Sequence, residues 1–161
     1  MTTLVLRNAT VLPLDRQERL LDPGAIVVRN GIIEAVVDGD APDGDVTLDM
    51  SGRLIMPGLV NAHTHTPMVL FRGLSEGHSL LTLEGWYNTI RVWEEVMDGE
   101  MVPPAVAVSC AEMIRTGTTC FADQYFYMDR IVPVVRQSGM RATLAYGVVE
   151  LGDEQARNLA M

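Results

Sequence analysis

The stretch Ile55–Gly73, "IMPGLVNAHTHTPMVLFRG", decides how the rest of the chain is read. Pro57-Gly58 breaks the preceding rhythm, a short apolar run follows, and two histidines one residue apart, His63 and His65, close it. Side chains alternate along a strand, so both imidazoles are expected to point to the same side at its end. Two readings are open. The pair is half of a metal site, since neutral imidazole is a common zinc ligand, or it is a polar strand end satisfied by water and backbone.

Upstream of this stretch the chain is β-like from Thr3 to about Asp49. The pieces are "LVLRNATVL", "AIVVRNGIIEAVV" and "VTLDM". Asn30-Gly31 between two β-branched runs predicts a two-residue hairpin with both turn residues at positive φ. Small strands paired by tight turns are expected, with "DGDAPDGD" (38–45) as a solvent-exposed acidic loop whose spacing does not fit a calcium loop.

Downstream the rhythm lengthens. In "LLTLEGWYNTIRVWEEVM" (80–97), Leu83, Trp86, Ile90, Trp93 and Met97 recur at steps of three and four, which predicts one helix with an apolar face. Pro103-Pro104 opens a second helix that ends at Gly117. "TTCFAD" reads as a strand, and "DRIVPVVRQSG" as a helix capped by Asp129 and closed at Gly139, with Pro133 near its first turn. "RATLAYGVV" is another strand. From residue 59 the order is strand, helices, strand, helix, strand, the signature of parallel βα units, and the pattern stops at "ELGDEQARNLAM".

Composition narrows the partners. With 161 residues, 48% hydrophobic and 20% charged, the chain can bury a core, and a net charge of -9 without a basic cluster argues against nucleic acid and anionic membrane. No apolar run approaches the ~20 residues of a membrane helix, and the N-terminus lacks a basic start before an apolar core, so a cytoplasmic protein is expected. Cys110 and Cys120 are then expected to be reduced thiols.

The blocks "PGLVNAHTH", "NAHTHTPMVLFRG", "CAEMIRTGTTCFADQYF" and "GMRATLAYGVVE" resemble successive parts of the amidohydrolase superfamily. The likeness is to the branch of S-adenosylhomocysteine and methylthioadenosine deaminases and s-triazine hydrolases, and it covers nearly the whole chain. It implies the α/β fold class: the N-terminal portion of a (β/α)8 hydrolase barrel, residues 59–161 being its first three βα units. Residues 1–58 would be part of a small β-sandwich domain completed from elsewhere in a longer chain. The resemblance implies that His63 and His65 bind one divalent metal, with zinc expected, and that a third histidine and an aspartate on later strands complete the shell. The proton-moving glutamate and histidine of the family would also lie downstream, so no catalytic residue is expected within this chain.

The implied reaction is hydrolytic deamination of a nitrogen heterocycle or adenosine derivative. A triazine chlorohydrolase or aminohydrolase is the alternative, and a non-catalytic or split subunit of the same fold is another. The implied partners are a small heterocyclic substrate, the missing C-terminal part of the barrel or a complementing chain, and further copies in a homo-oligomer. By the same resemblance Glu95 is the ribose-hydroxyl ligand, with Glu94 as its rival, since the linker before Trp86 is longer than in related deaminases. Tyr146 stands where S-adenosylhomocysteine deaminases carry an arginine, which favours an uncharged substrate.

The remaining candidates have structural readings beside them. Asp123 either braces a ligand or caps the next turn. Trp86 and Trp93 are expected in the core, with stacking on a flat substrate as the other option. Arg72 is expected to hold a carboxylate, and His78 to be a loop residue.

Overall fold

The structure, a computed structural model, describes residues 2–148. The chain divides after Pro57 into two compact units.

The first unit is one sheet built from β1 (Thr3–Val11), β2 (Leu21–Arg29), β3 (Ile32–Asp38), β4 (Val46–Asp49) and the two-residue β5 (Leu54–Ile55). The path β3-β2-β1-β4 has antiparallel pairs β1/β2 and β2/β3, whereas β4 and β5 both run parallel to β1. Asn30 and Gly31 form the expected hairpin turn, at φ 50° and 80°. The parallel pairing departs from the expectation of strands joined only by tight turns. Its cause lies in the acidic loop, which carries the chain from the β3 edge across to the far side of β1. That loop is more than a solvated connection: Ala41 is buried against Val5 and Ala25, Asp45 accepts the Thr3 N–H at 2.7 Å, and Asp43 pairs with Arg7 at 2.8 Å.

The second unit opens with β6 (Leu59–Thr64), followed by a 3-10 turn, Thr66–Phe71. Next come α1 (Leu83–Tyr87), α2 (Ile90–Val96), α3 (Val102–Arg115), β7 (Thr118–Tyr125), α4 (Met128–Ser138) and β8 (Arg141–Tyr146). The three strands form a parallel sheet in the order β6-β7-β8. Phe121 of β7 and Ile131 of α4 are fully buried in its core beside Val106 and Cys110 of α3. Each large apolar side chain so buried is worth about 1.5–3 kcal/mol. The expected order of strands and helices from residue 59 is the observed one.

Two helices differ from expectation. The single helix over residues 83–97 is instead α1 and α2, broken at Thr89 (φ -127°, ψ -87°). The Thr89 hydroxyl donates to the Gly85 carbonyl at 2.6 Å, a local side-chain bond that competes with continuation of the helix. The break changes the phase of the following turn: Ile90, Arg91 and Glu94 are buried, while Leu83 and Trp93 are exposed. In α4 the residue at the N-cap is Tyr127, at left-handed φ 58°, and Asp129 sits in the first turn without capping it. A carboxylate there still favours the positive end of the helix. Gly139 closes α4 at φ 75°, and Gly117 follows α3 at φ 84°, both in the left-handed region that glycine enters freely. Among the described residues, no helix is long and apolar enough to cross a membrane. The segment "ELGDEQARNLAM" lies outside the described residues.

Candidate active site

His63 is the penultimate residue of β6, and His65 stands just before the 3-10 turn. Their Nε2 atoms approach to 3.3 Å with the rings nearly perpendicular. Two imidazoles on one tetrahedral zinc at ~2.0–2.1 Å each would have nitrogens about 3.3–3.4 Å apart, so the donor pair fits two positions of such an ion. The tautomer of His65 follows from its other nitrogen. Nδ1 lies 2.6 Å from the Gln124 carbonyl, which can only accept, so Nδ1 carries a hydrogen and Nε2 is the ring nitrogen that faces His63. Among the described residues no group of three or more His, Cys, Asp or Glu comes together as a metal cluster. Among the described residues the pair offers two candidate donors and no third.

The segment after His65 is fastened from two sides. Asp123 of β7 is buried and accepts the Thr66 N–H at 3.2 and 3.3 Å as well as the Thr66 hydroxyl. From α3, the Ser109 hydroxyl donates to the Thr66 carbonyl at 2.7 Å. Asp123 therefore braces the residue next to His65 and does not cap the turn after β7. Burial pushes its carboxyl up, opposed by the Thr66 bonds.

A cavity of about 240 Å³ lies beside His65, walled mostly by apolar side chains including Met68, Trp86, Ile90 and Phe126. His65 also lines a second hollow, on the other side, that includes His63 and Asp123. The polar groups of the first cavity converge on Glu94 and Tyr125. Glu94 is 4% exposed; its Oε1 accepts the Tyr125 hydroxyl at 2.9 Å, and its Oε2 is buried without a hydrogen-bond partner. Arg91 lies 3.9 Å from that oxygen, beyond hydrogen-bonding reach. Glu95 is placed differently, with its side chain 54% exposed and 3.8 Å from Arg91.

Tyr146 ends β8 in register with Tyr125 and is 42% exposed. It has the strand parity of Ala142 and Leu144, which pack on the helix side, whereas Thr143 and Ala145 line the hollow with His63. The next residue, Gly147, lines the cavity instead. Of the sequence-predicted residues, His63 and His65 are thus brought together, and Glu95 and Tyr146 are outside the cavity wall. His78 is in an exposed turn, and Arg72 makes a two-pronged bond to Glu112 of α3 at 2.7 and 2.8 Å. Both cysteines are free. Trp86 reaches the cavity. Sequence reasoning passed over Thr66 and Tyr125. For Tyr125 a signal existed: it lies two residues beyond Asp123 on one strand, hence on the same side.

Burial pushes the Glu94 carboxyl above the usual carboxylate range, against the lowering effects of Tyr125 and Arg91. Because the folded value exceeds the unfolded one, the folded state holds the proton more firmly, and stability falls as pH rises through that interval. Glu94→Gln keeps an oxygen for Tyr125 and removes the desolvated charge. In the full-length protein this variant is expected to be more stable by roughly 1 kcal/mol at pH 8, with the gain gone below about pH 4. Thermal melts across that range check it; a variant less stable at pH 8 than at pH 4, relative to the parent, contradicts the burial cost.

Residues 54–160 match the amidohydrolase family, and the chain belongs to it. It is 38% identical over 157 residues to a 5'-deoxyadenosine deaminase of Methanosarcina barkeri, covering 96% of this chain and 35% of that protein. It is 39% identical over 134 residues to a 5-methylthioadenosine/S-adenosylhomocysteine deaminase of Thermococcus sibiricus, covering 83% of this chain and 31% of that one. The chain thus spans about a third of the length of the curated relatives it matches. In fold it resembles a zinc-complexed atrazine chlorohydrolase of Arthrobacter aurescens, with TM-score 0.81 and 23% identity over 94% of this chain and 37% of the other. A guanine deaminase of C. acetobutylicum with bound guanine gives TM-score 0.73 and 19% identity, over 88% and 35%.

Proposed function

We propose that this chain is the N-terminal segment of a zinc-dependent hydrolase that deaminates an adenosine derivative. The observation that carries the reading is one strand end at which two imidazole nitrogens converge beside an apolar cavity holding a buried carboxylate with a free oxygen. In this reading β6, β7 and β8 begin a (β/α)8 barrel, and the sheet of residues 1–58 is part of a β-sandwich completed by later strands. The third histidine, the aspartate and the proton-moving groups would come from the rest of the protein.

His63 and His65 would hold the metal, which when bound supplies the Lewis acidity for hydrolysis at neutral pH. The remaining roles fall to the chain's own residues. The Gln124 carbonyl fixes the His65 tautomer, the Asp123–Thr66 clamp fixes its backbone, and Trp86, Met68 and Phe126 offer apolar surface to a flat ring and keep water away. Glu94, which the phase of α2 turns inward, is favoured over Glu95 as the acceptor of substrate hydroxyls, because its Oε2 is buried without a hydrogen-bond partner.

An adenosine derivative supplies such donors, whereas a chlorinated triazine supplies no diol. Among the described residues no lysine or arginine lines the cavity, and Tyr146 adds no cation, so an uncharged 5' group suits the wall. The test is product analysis with the full-length protein. Ammonium release from 5'-deoxyadenosine or methylthioadenosine, ahead of S-adenosylhomocysteine, is expected. Chloride release from chlorinated triazines as the faster reaction, or a clear preference for S-adenosylhomocysteine, would overturn it.

A further inference from the structure

The carboxylate of Glu94 accepts one hydrogen bond, from the strand whose carbonyl also holds His65, while Arg91 faces its other oxygen from 3.9 Å. Gln124 and Tyr125 are consecutive at the end of β7. The Gln124 carbonyl takes the His65 Nδ1–H at 2.6 Å, and the Tyr125 hydroxyl donates to Glu94 Oε1 at 2.9 Å. The helix carrying Glu94 cannot supply this precision itself. It is seven residues long, follows the break at Thr89 and ends in extended backbone at Met97.

Tyr125 is better anchored. It is 5% exposed, paired in register with β8, and its ring packs between Phe126 and His65, with centroids 5.1 and 5.9 Å away. The Gly147 N–H bonds to its carbonyl at 2.9 Å. Burial and the neighbouring Glu94 charge push the phenol far up, so it stays a protonated donor. With Oε1 engaged, a buried carboxylate has its other oxygen left for a ligand, and Arg91 at 3.9 Å does not take it.

We infer that Tyr125 is a positioning residue that sets substrate specificity: by anchoring Glu94 Oε1 to β7, it fixes the free Oε2 at a set distance from the His63–His65 pair, so that a nucleoside's hydroxyl pair is read in register with its reacting ring. The inference rests on the proposed role of Glu94 and goes beyond it by naming what makes that role selective. A carboxylate that could swing would still accept hydroxyls, but without a fixed distance to the reacting atoms.

The experiment uses the full-length zinc-loaded protein with 5'-deoxyadenosine and its analogue lacking the 2' and 3' hydroxyls. Tyr125→Phe keeps the ring and removes the donor. It is expected to raise KM for the hydroxylated substrate about tenfold, to hold kcat within about threefold, and to reduce the preference for that substrate over the analogue about tenfold. Zinc content should not change. An equal loss on both substrates, a fall in kcat with KM unchanged, or lost zinc marks Tyr125 as merely structural and overturns the inference. Glu94→Gln run in parallel separates the two levels. If it collapses the preference while Tyr125→Phe does not, the inference fails and the role of Glu94 stands. If neither variant alters the preference, the role of Glu94 fails and the inference falls with it.

Discussion

Replacing His63 or His65 by alanine in the full-length protein is expected to release the bound metal and to lower kcat/KM by on the order of a thousandfold or more. The size of the effect follows from ligand arithmetic. A catalytic zinc is normally held by three protein ligands and water, so each histidine is a large fraction of the binding free energy. Among the described residues no group of three or more His, Cys, Asp or Glu assembles there, so no spare donor stands by to take over. Asp123, the carboxylate that lines the same hollow as both histidines, is committed to Thr66. Zinc determined by elemental analysis after dialysis, together with ammonium release, gives two independent readouts. The double variant should be no worse than either single one, since both remove the same ion. Retained stoichiometric zinc and undiminished turnover in either single variant would remove the metal assignment altogether.

The polypeptide of residues 1–161 on its own is expected to show no hydrolase turnover, even with excess zinc. Two histidines without a third ligand bind the ion weakly, and no metal cluster of three forms among the described residues. In the proposed barrel the β6-β7-β8 sheet would wall only part of the site, which would leave a heterocycle poorly oriented and water poorly excluded. Incubating the purified polypeptide with zinc and adenosine, methylthioadenosine, S-adenosylhomocysteine and chlorinated triazines, then measuring ammonium and chloride, checks this directly. The comparison is the full-length protein, where turnover should appear. Zinc-dependent turnover by residues 1–161 that disappears in the His63→Ala, His65→Ala double variant would show that the two histidines need no further ligand from elsewhere.

What was legible in the sequence was whatever depends on short-range geometry. The co-facing of His63 and His65 follows from the two-residue period of a strand. The Asn30-Gly31 turn follows from its demand for positive φ, and the ends of α3 and α4 from the freedom of Gly117 and Gly139 to enter left-handed backbone. The order of strands and helices from residue 59 likewise came from local periodicity. Tertiary structure decided the rest, because the deciding contacts are distant in sequence or change a phase. Asp123 finds Thr66 57 residues away, and Tyr125 finds Glu94 31 residues away. Glu94 and Glu95 are adjacent and chemically alike. Only the break at Thr89 determines which of them turns inward, and a continuous periodic helix over residues 83–97 conceals that break. β4 and β5 lie parallel to β1 because the acidic loop buries Ala41 and fastens Asp43 and Asp45 to β1, contacts no turn rule contains. Local sequence sets which residues share a face, but only the packed chain sets what that face meets.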